Sequence, residues 1–187
     1  MQRLLLDEAL REAPDSRMVL EVGCGDGRFL SAVGSAFPGS ELVGVDISER
    51  QLGKARARLS SVPGVRLVLA AVEALPLPDQ TFDLIVTNRS FHHWSDQLAG
   101  LREVVRVLKP EGVFVLADPL GAGLIRRPWV RRVAESLDGG RFIDGESLDT
   151  MFANVGIELT QRIPVPYSGG TLFISVGRLR ASSGRAG

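Results

Sequence analysis

Val19-Leu-Glu-Val-Gly-Cys-Gly-Asp-Gly-Arg28 is the stretch that decides the fold. It predicts a short buried strand, then a loop built on Gly23, Gly25 and Gly27, and then a helix. Glycines lack the side chains that would keep a ligand away from the backbone, and a helix start offers unpaired N–H groups at its positive end. The stretch therefore predicts a site for a nucleotide-like ligand. The alternative is a tight turn that only packs the helix on the strand.

The glycine spacing bears on which nucleotide is bound. A dinucleotide fingerprint requires its third glycine at position 28, where this chain has Arg28, and the spacing here is one residue shorter. Binding of a pyrophosphate is therefore disfavoured. An NAD-dependent oxidoreductase stays open only as a weaker alternative.

Asp46 is the second anchor of the predicted site, since it ends the apolar run that begins at Leu42. The carboxyl ends of neighbouring parallel strands meet at one crevice, so Asp46 is expected beside the glycine loop. A carboxylate there can accept hydrogen bonds from both hydroxyls of a ribose. The alternative role is a charge at the start of the helix that follows Ser48.

Five short apolar runs alternate with helix-like stretches over the first two thirds of the chain, which predicts repeated βα units and an α/β fold. The first four runs are rich in Val, Leu and Ile on both faces, as in strands covered on both sides. Ser48 with Gln51 predicts a capping box for a helix that continues to about Leu59. The expected strands are 18–22, 41–45, 65–69, 82–87 and 113–118, and a helix over 98–108 is expected to stop at Lys109-Pro110.

The part after Asp118 is punctuated by glycine and proline, and it predicts irregular structure around one or two short helices. A helix over 148–155 and two strands over 157–163 and 171–178, arranged as a hairpin, are expected to close the fold. We expect one domain over 1–180 and a disordered tail over 181–187.

The amino-acid composition limits which partners and which cellular compartment are expected. The 22 basic and 22 acidic residues cancel, so no global field favours nucleic acid, and no nucleic-acid partner is expected. Cys24 is the only cysteine, which excludes an internal disulfide framework and a zinc site built from cysteines, and suits a reducing compartment, the cytoplasm. The first ten residues predict an amphipathic helix rather than a signal peptide or a membrane span.

Further stretches carry a family resemblance: ELVGVDIS after VLEVGCGDGRF, then AAVEALPLPDQTFDLIVTNRSFHHW and LREVVRVLKPEG. Over 18–118, and more loosely over 142–178, the chain resembles the class I S-adenosylmethionine (SAM)-dependent methyltransferases, most closely the ubiquinone/menaquinone-biosynthesis-like group of small-molecule enzymes. The resemblance implies a Rossmann-like, doubly wound, seven-stranded sheet, mainly parallel with an antiparallel last strand and helices on both faces. It also implies SAM as cofactor, S-adenosylhomocysteine as product, and a small-molecule acceptor.

The resemblance assigns cofactor contacts residue by residue. It places Glu21 and the glycine-loop backbone near the methionine part of SAM, Asp46 on the ribose, and Ile47 and Val72 at the adenine. Asn88 and Arg89 follow the fourth strand, near the amino acid end of SAM and the acceptor. Ala71 stands where the family usually has an adenine-binding Asp, and Glu73 is a candidate replacement. The expected cofactor-binding residues are Glu21, Gly23, Cys24, Gly25, Gly27, Asp46, Ile47, Ala71, Val72, Glu73, Asn88 and Arg89.

His92 and His93, the only histidines, are the candidate catalytic residues. A hydroxyl or carbon acceptor needs a base within hydrogen-bond reach, whereas an amine or thiolate does not. The alternative is that the segment Phe91-His-His-Trp94 only shapes the acceptor pocket. Methyl transfer requires no catalytic metal, and no metal site is predicted.

The segment Arg126 to Arg132 places four arginines around Trp129. It predicts contact with an anionic acceptor or a peripheral membrane surface, against the alternative of a solvated helix start with Pro128 in its first turn. A catalytically silent SAM-binding sensor or partner subunit is the main functional alternative. The acceptor, the methylated atom and the oligomeric state are not fixed by these residues.

Overall fold

The computed structural model describes residues 2–122 and 126–180, and within them seven strands and six α-helices. The tail expected to be disordered, 181–187, lies outside the described residues. Among the described helices none is long and apolar enough to cross a bilayer. The strands are β1 Met18–Val22, β2 Glu41–Asp46, β3 Val65–Leu69, β4 Phe82–Asn88, β5 Leu108–Pro119, β6 Ile157–Pro164 and β7 Leu172–Leu179. The helices are α1 Gln2–Glu12, α2 Arg28–Ala36, α3 Glu49–Leu59, α4 Gln97–Val107, α5 Pro128–Asp138 and α6 Gly145–Val155.

All seven strands form one sheet in the order β3-β2-β1-β4-β5-β7-β6. Pairing is parallel from β3 to β5, and β7 is antiparallel to both of its neighbours, β5 and β6. The predicted doubly wound sheet with an antiparallel last strand is therefore confirmed, as is the closing β6–β7 hairpin.

Helices cover the sheet on both faces, each over its own apolar core. Leu5 of α1, Leu30 of α2 and Leu59 of α3 belong to one core. Leu101 of α4 and Phe152 of α6 belong to the other. Burying β1, β4 and β5 on both sides explains why their sequences are almost continuously apolar. The expectation that β3 is equally buried was wrong, because β3 is the edge strand of the sheet that the described residues form.

Two local predictions need correction. Helix α3 is capped at Ser48, whose Oγ accepts from the backbone N–H of Gln51 at 3.4 Å. The second hydrogen bond of a capping box, from the N–H of Ser48 to the side chain of Gln51, is not formed, because that N–H donates to Asp46 at 2.9 Å. Strand β5 begins at Leu108 rather than 113, because β4 and β5 pair from Phe82 and Leu108 onward with a register shift that accommodates the extra residues. Helix α4 does end at Val107, as the proline predicted.

Candidate active site

The site lies where the carboxyl ends of β1, β2 and β4 meet. The chain crosses from β1 to β2 in one direction along the sheet and from β3 to β4 in the other, so a crevice opens between β1 and β4. Such a switch point is where open α/β sheets bind ligands. A cavity of about 910 Å³ occupies this position.

The glycine loop follows β1, and two of its glycines serve different needs. Gly23 has φ of 72°, and a Cβ there would lie 1.9 Å from Ser90 Oγ, so this glycine allows the loop to pack against the segment after β4. Gly25 has φ of 53°, and a Cβ there would meet nothing within 4 Å. Because Gly25 lines the cavity, its missing side chain leaves space for a ligand.

Asp46 fixes the loop from the end of β2. Its Oδ2 accepts from the backbone N–H of Gly25 at 2.8 Å, and its Oδ1 accepts from the N–H of Ser48 at 2.9 Å. The structure therefore shows both the expected position beside the glycine loop and the alternative one at the start of α3. Two backbone donors hold this carboxylate in one orientation at the cavity wall.

Buried acceptors without partners mark the β1 and β4 ends of the cavity. Within the described part of the chain, Glu21 Oε2 and Asn88 Oδ1 have no hydrogen-bond partner, although both residues line the cavity. Burial raises the pKa of the Glu21 carboxyl well above its usual range, and the nearby charge of Asp46 raises it further. Buried polar atoms are ordinarily paired, so these two acceptors indicate a ligand that carries donors or positive charge.

All of the predicted site residues except Gly27 line this cavity. Gly27 instead lies where α2 meets α3, and a Cβ there would come within 2.9 Å of Leu59 and 3.1 Å of Ala55. The glycine loop therefore has both predicted roles. Gly25 leaves space for a ligand, and Gly27 lets α2 pack closely against α3. The predicted residues in the cavity wall are Glu21, Gly23, Cys24, Gly25, Asp46, Ile47, Ala71, Val72, Glu73, Asn88, Arg89, His92 and His93.

The segment after β3 contributes Ala71, where the resemblance implied an acidic residue, to the cavity wall. Val72 is buried and begins a single-turn helix, whereas Glu73 turns its carboxylate to the start of α4. Glu73 Oε1 accepts from the backbone N–H of Asp96 at 3.0 Å. This bond engages one oxygen of the residue that was expected to stand in for the missing Asp.

The two histidines have different environments. His92 is 4% exposed, with Nδ1 at 2.7 Å from Asp118 and Nε2 at 2.8 Å from Asp138. Burial alone would lower the pKa of His92, but the hydrogen bond and charge of Asp118, with the charge of Asp138, raise it. His93 has a side chain 45% exposed, and partial burial together with the charge of His92 lowers its pKa. Of the two candidate bases, His93 has the less engaged ring, and the catalytic assignment stays a prediction.

Sequence reasoning missed the two carboxylates that hold His92. Asp118 is fully buried in β5 and also accepts from the N–H of Phe91 at 3.0 Å. A signal was present, since Asp118 lies near the carboxyl end of a buried apolar strand, just as Asp46 does. Asp138 gave no such signal, because its position depends on how the last turn of α5 meets His92 and His93.

Comparison with known proteins places this chain in a family. A model described as a methyltransferase domain matches residues 20–116, just over half of the chain. The demethylmenaquinone methyltransferase of Thermus thermophilus is 34% identical over 145 residues, covering 74% of this chain and 64% of that protein. The malonyl-[acyl-carrier protein] O-methyltransferase of Methylococcus capsulatus is 39% identical over 100 residues, covering 53% of this chain and 36% of that protein.

A solved structure extends the likeness over almost the whole fold. The YcgJ protein of Bacillus subtilis superposes with a TM-score of 0.77 at 22% identity, covering 96% of this chain and 100% of that chain. At this identity the likeness shows the fold alone. The chain spans less than two thirds of the length of both curated relatives named above.

Proposed function

The chain belongs to the class I SAM-dependent methyltransferase family, and from this premise we propose that it transfers a methyl group from SAM to a small-molecule acceptor. The observation that carries the proposal is the meeting of three features at one edge of the sheet: the glycine loop, the oriented carboxylate of Asp46, and the unpartnered acceptors of Glu21 and Asn88.

These residues suit SAM better than a dinucleotide. The nucleoside has two ribose hydroxyls for Asp46, and the amino acid end carries an ammonium group for the unpaired acceptors near β1 and β4. Ile47, which is 71% exposed without a ligand, offers an apolar face at the cavity rim for a base. Arg28 begins α2 where a pyrophosphate-binding chain needs glycine.

Bound SAM supplies a methyl carbon already activated by its sulfonium, so the protein's task is alignment and exclusion of water. The glycine loop, Asp46 and Glu21 line the cavity, and Arg89, His93 and Asp138 line it too. A volume of about 910 Å³ lies near the upper end for small-molecule sites and accommodates an acceptor beside the donor. His93 is the residue placed to accept a proton from an acceptor that needs a base.

The two alternatives fit less well. A silent SAM-binding sensor needs no acceptor space, yet the cavity continues past the glycine loop to His93 and Asp138. An NAD-dependent oxidoreductase gains no support from the family match. With its single buried cysteine, the chain is also suited to the reducing environment of the cytoplasm, which we propose as its location.

The proposal is tested by product formation. The protein is incubated with SAM and a panel of phenols, quinols, amines and carboxylic acids, and S-adenosylhomocysteine is measured by mass spectrometry. We expect acceptor-dependent S-adenosylhomocysteine from the native chain and none from Asp46→Ala, with Asp7→Asn as an exposed charge-removal control that keeps activity. SAM binding without turnover on any acceptor would favour the silent module instead.

We also propose that α5 rests on an anionic membrane surface, because its apolar residues point outward. Trp129, Val133 and Leu137 are spaced one turn apart along one side of α5 and are 66%, 53% and 85% exposed. The arginines of the segment Arg126 to Arg132 are exposed around them. An aromatic and aliphatic stripe beside arginines matches the interface of an anionic bilayer.

Vesicle sedimentation tests this contact. We expect the protein to sediment with anionic phospholipid vesicles at low salt and not with zwitterionic ones. The double variant Trp129→Ala, Leu137→Ala is expected to stay in solution, whereas Tyr167→Ala, at an exposed aromatic residue elsewhere, sediments as the native chain does. Unchanged sedimentation of the double variant would exclude α5 as the contact.

A further inference from the structure

Three side chains of types that ligate metal ions converge in the wall of the cavity. His92, His93 and Asp138 each offer one donor atom, and these three atoms all lie within 4.8 Å of one another. The histidines come from the single-turn helix Phe91–His93 after β4, and Asp138 is the last residue of α5. All three side chains line the large cavity. The fold therefore brings the segment after β4 and the end of α5 together at the cavity.

The spacing of the donor atoms suits a small divalent ion. Asp138 Oδ2 lies 2.8 Å from His92 Nε2 and 3.7 Å from His93 Nε2. An ion bound at about 2.1 Å by nitrogen and oxygen requires donors about 3.0 Å apart at a right angle and about 3.4 Å apart in a tetrahedron. The two separations from Asp138 lie on either side of these values. His93 and Asp138, with side chains 45% and 41% exposed, have room to adjust by a few tenths of an ångström.

A second observation concerns the far side of the His92 ring. Its Nδ1 pairs with Oδ1 of Asp118 at 2.7 Å, and Asp118 is fully buried. A carboxylate behind the ring orients the imidazole, fixes which nitrogen faces the ligand and raises its basicity, which is the arrangement found behind metal-bound histidines. Nε2 of His92 is thereby directed at Asp138 and the cavity.

We propose that His92, His93 and Asp138 form a binding site for a divalent transition-metal ion of the zinc type. Two imidazoles and one carboxylate are a common ligand set for such an ion, and three protein ligands leave coordination positions for a further ligand. Sequence analysis predicted no metal, because the third ligand lies 45 residues after His93 and only the fold brings them together.

The role of the ion rests on the proposed methyl transfer. An acceptor hydroxyl that coordinates the ion loses its proton to water more easily, because the cation stabilises the oxygen anion. That oxygen then forms the bond to the methyl carbon as the carbon–sulfur bond breaks and S-adenosylhomocysteine departs. The ion would thus take over the activation assigned above to His93.

Metal binding is measured without SAM, so its failure is distinct from a failure of the methyltransferase proposal. Untagged protein is titrated with Zn²⁺ by calorimetry and with Co²⁺ by visible absorption, and the two imidazoles are followed by nitrogen-15 NMR. Since the chain has only two histidines, both signals are assignable with one variant, His93→Ala. We expect one equivalent of Zn²⁺ and shifts of both rings.

Substitutions at the two partly exposed ligands, His93 and Asp138, decide the outcome. Asp138→Asn and His93→Ala are each expected to weaken Zn²⁺ binding at least about tenfold, and each variant is expected to keep a folded circular dichroism spectrum. Glu158→Gln, at an exposed carboxylate on the edge strand β6, is the control and is expected to bind as the native chain does. Absence of Zn²⁺ uptake, or uptake unchanged by both substitutions, would overturn the site.

Discussion

Carboxylates at the two edges of the central sheet, the amino edge where its strands begin and the carboxyl edge where they end, have opposite environments. At the amino edge, Asp83 accepts from the backbone N–H groups of Arg17 and Met18 at 3.0 and 2.9 Å and from Lys109 Nζ at 2.7 Å. Toward the carboxyl edge, Glu21 of the neighbouring strand β1 has Oε2 buried and without a partner in the described structure. Strands β1 and β4 therefore have a paired carboxylate where they begin, whereas the carboxyl of Glu21, near the end of β1, has an unpaired oxygen.

The pKa values follow this difference. For Asp83, partial burial is outweighed by the Lys109 hydrogen bond and the two N–H donors, so its pKa is lowered. For Glu21, burial and the charge of Asp46 act together, so its pKa is raised. Unpaired buried polar groups near one edge indicate a site where a ligand supplies the missing partners.

The largest expected effect is on SAM binding through Gly25. A side chain at this position enters the open space of the cavity, so Gly25→Leu is expected to weaken SAM binding by at least about 100-fold, or about 2.7 kcal/mol. Gly156→Leu is the matched control, because Gly156 also has a positive φ and open space around it but lies outside the cavity. Calorimetry with SAM compares them, and equal affinity would place the ligand elsewhere.

The next effect is on stability at the amino edge. Asp83→Asn removes a charge paired with Lys109, and we expect a loss of about 1–2 kcal/mol in the free energy of unfolding at neutral pH. Because the folded pKa lies below the unfolded value of about 3.9, this contribution is present above that pH and is lost as the pH falls through the folded pKa. Urea unfolding of both proteins at several pH values measures the difference, and a difference that persists unchanged in acid would contradict it.

The smallest expected effect is a gain in the free energy of unfolding rather than a loss. Glu21→Gln removes an uncompensated buried carboxyl, and we expect the ligand-free protein to gain up to about 1 kcal/mol. Because the folded pKa of Glu21 is raised, the native carboxyl costs stability as the pH rises above its unfolded value of about 4.3, so the gain is largest at high pH. Urea unfolding without SAM is the measurement. Destabilisation at neutral pH would show that Glu21 has a structural partner.

Much of this arrangement follows from local sequence. The apolar runs of β1, β2 and β4 predicted the sheet because strands covered on both faces are apolar at almost every position. Asp46 and the glycine loop were predicted together because parallel strands end at one edge. The burial of β3 was wrong because the apolar pattern does not distinguish an edge strand from a central one.

The surroundings of His92 were less predictable. The partners of His92 come from β5 and from the end of α5, at 26 and 46 residues along the chain, and no local pattern links them. Helix α5 begins at Pro128, as the alternative interpretation of the arginine segment expected, but it buries none of its residues, so its sequence did not indicate where it packs. Gly27 fits the glycine pattern and yet packs against α3. Periodicity reports that a face is apolar, whereas contact partners depend on the whole fold.

Calorimetric titration of the native chain and of Asp46→Ala with SAM and with NAD tests the central claim most directly. If the carboxyl edge is a SAM site, the native chain binds one equivalent of SAM, NAD gives no heat of binding, and Asp46→Ala loses SAM binding while keeping a folded circular dichroism spectrum. Binding of NAD in place of SAM, or SAM binding that survives Asp46→Ala unchanged, would contradict the account.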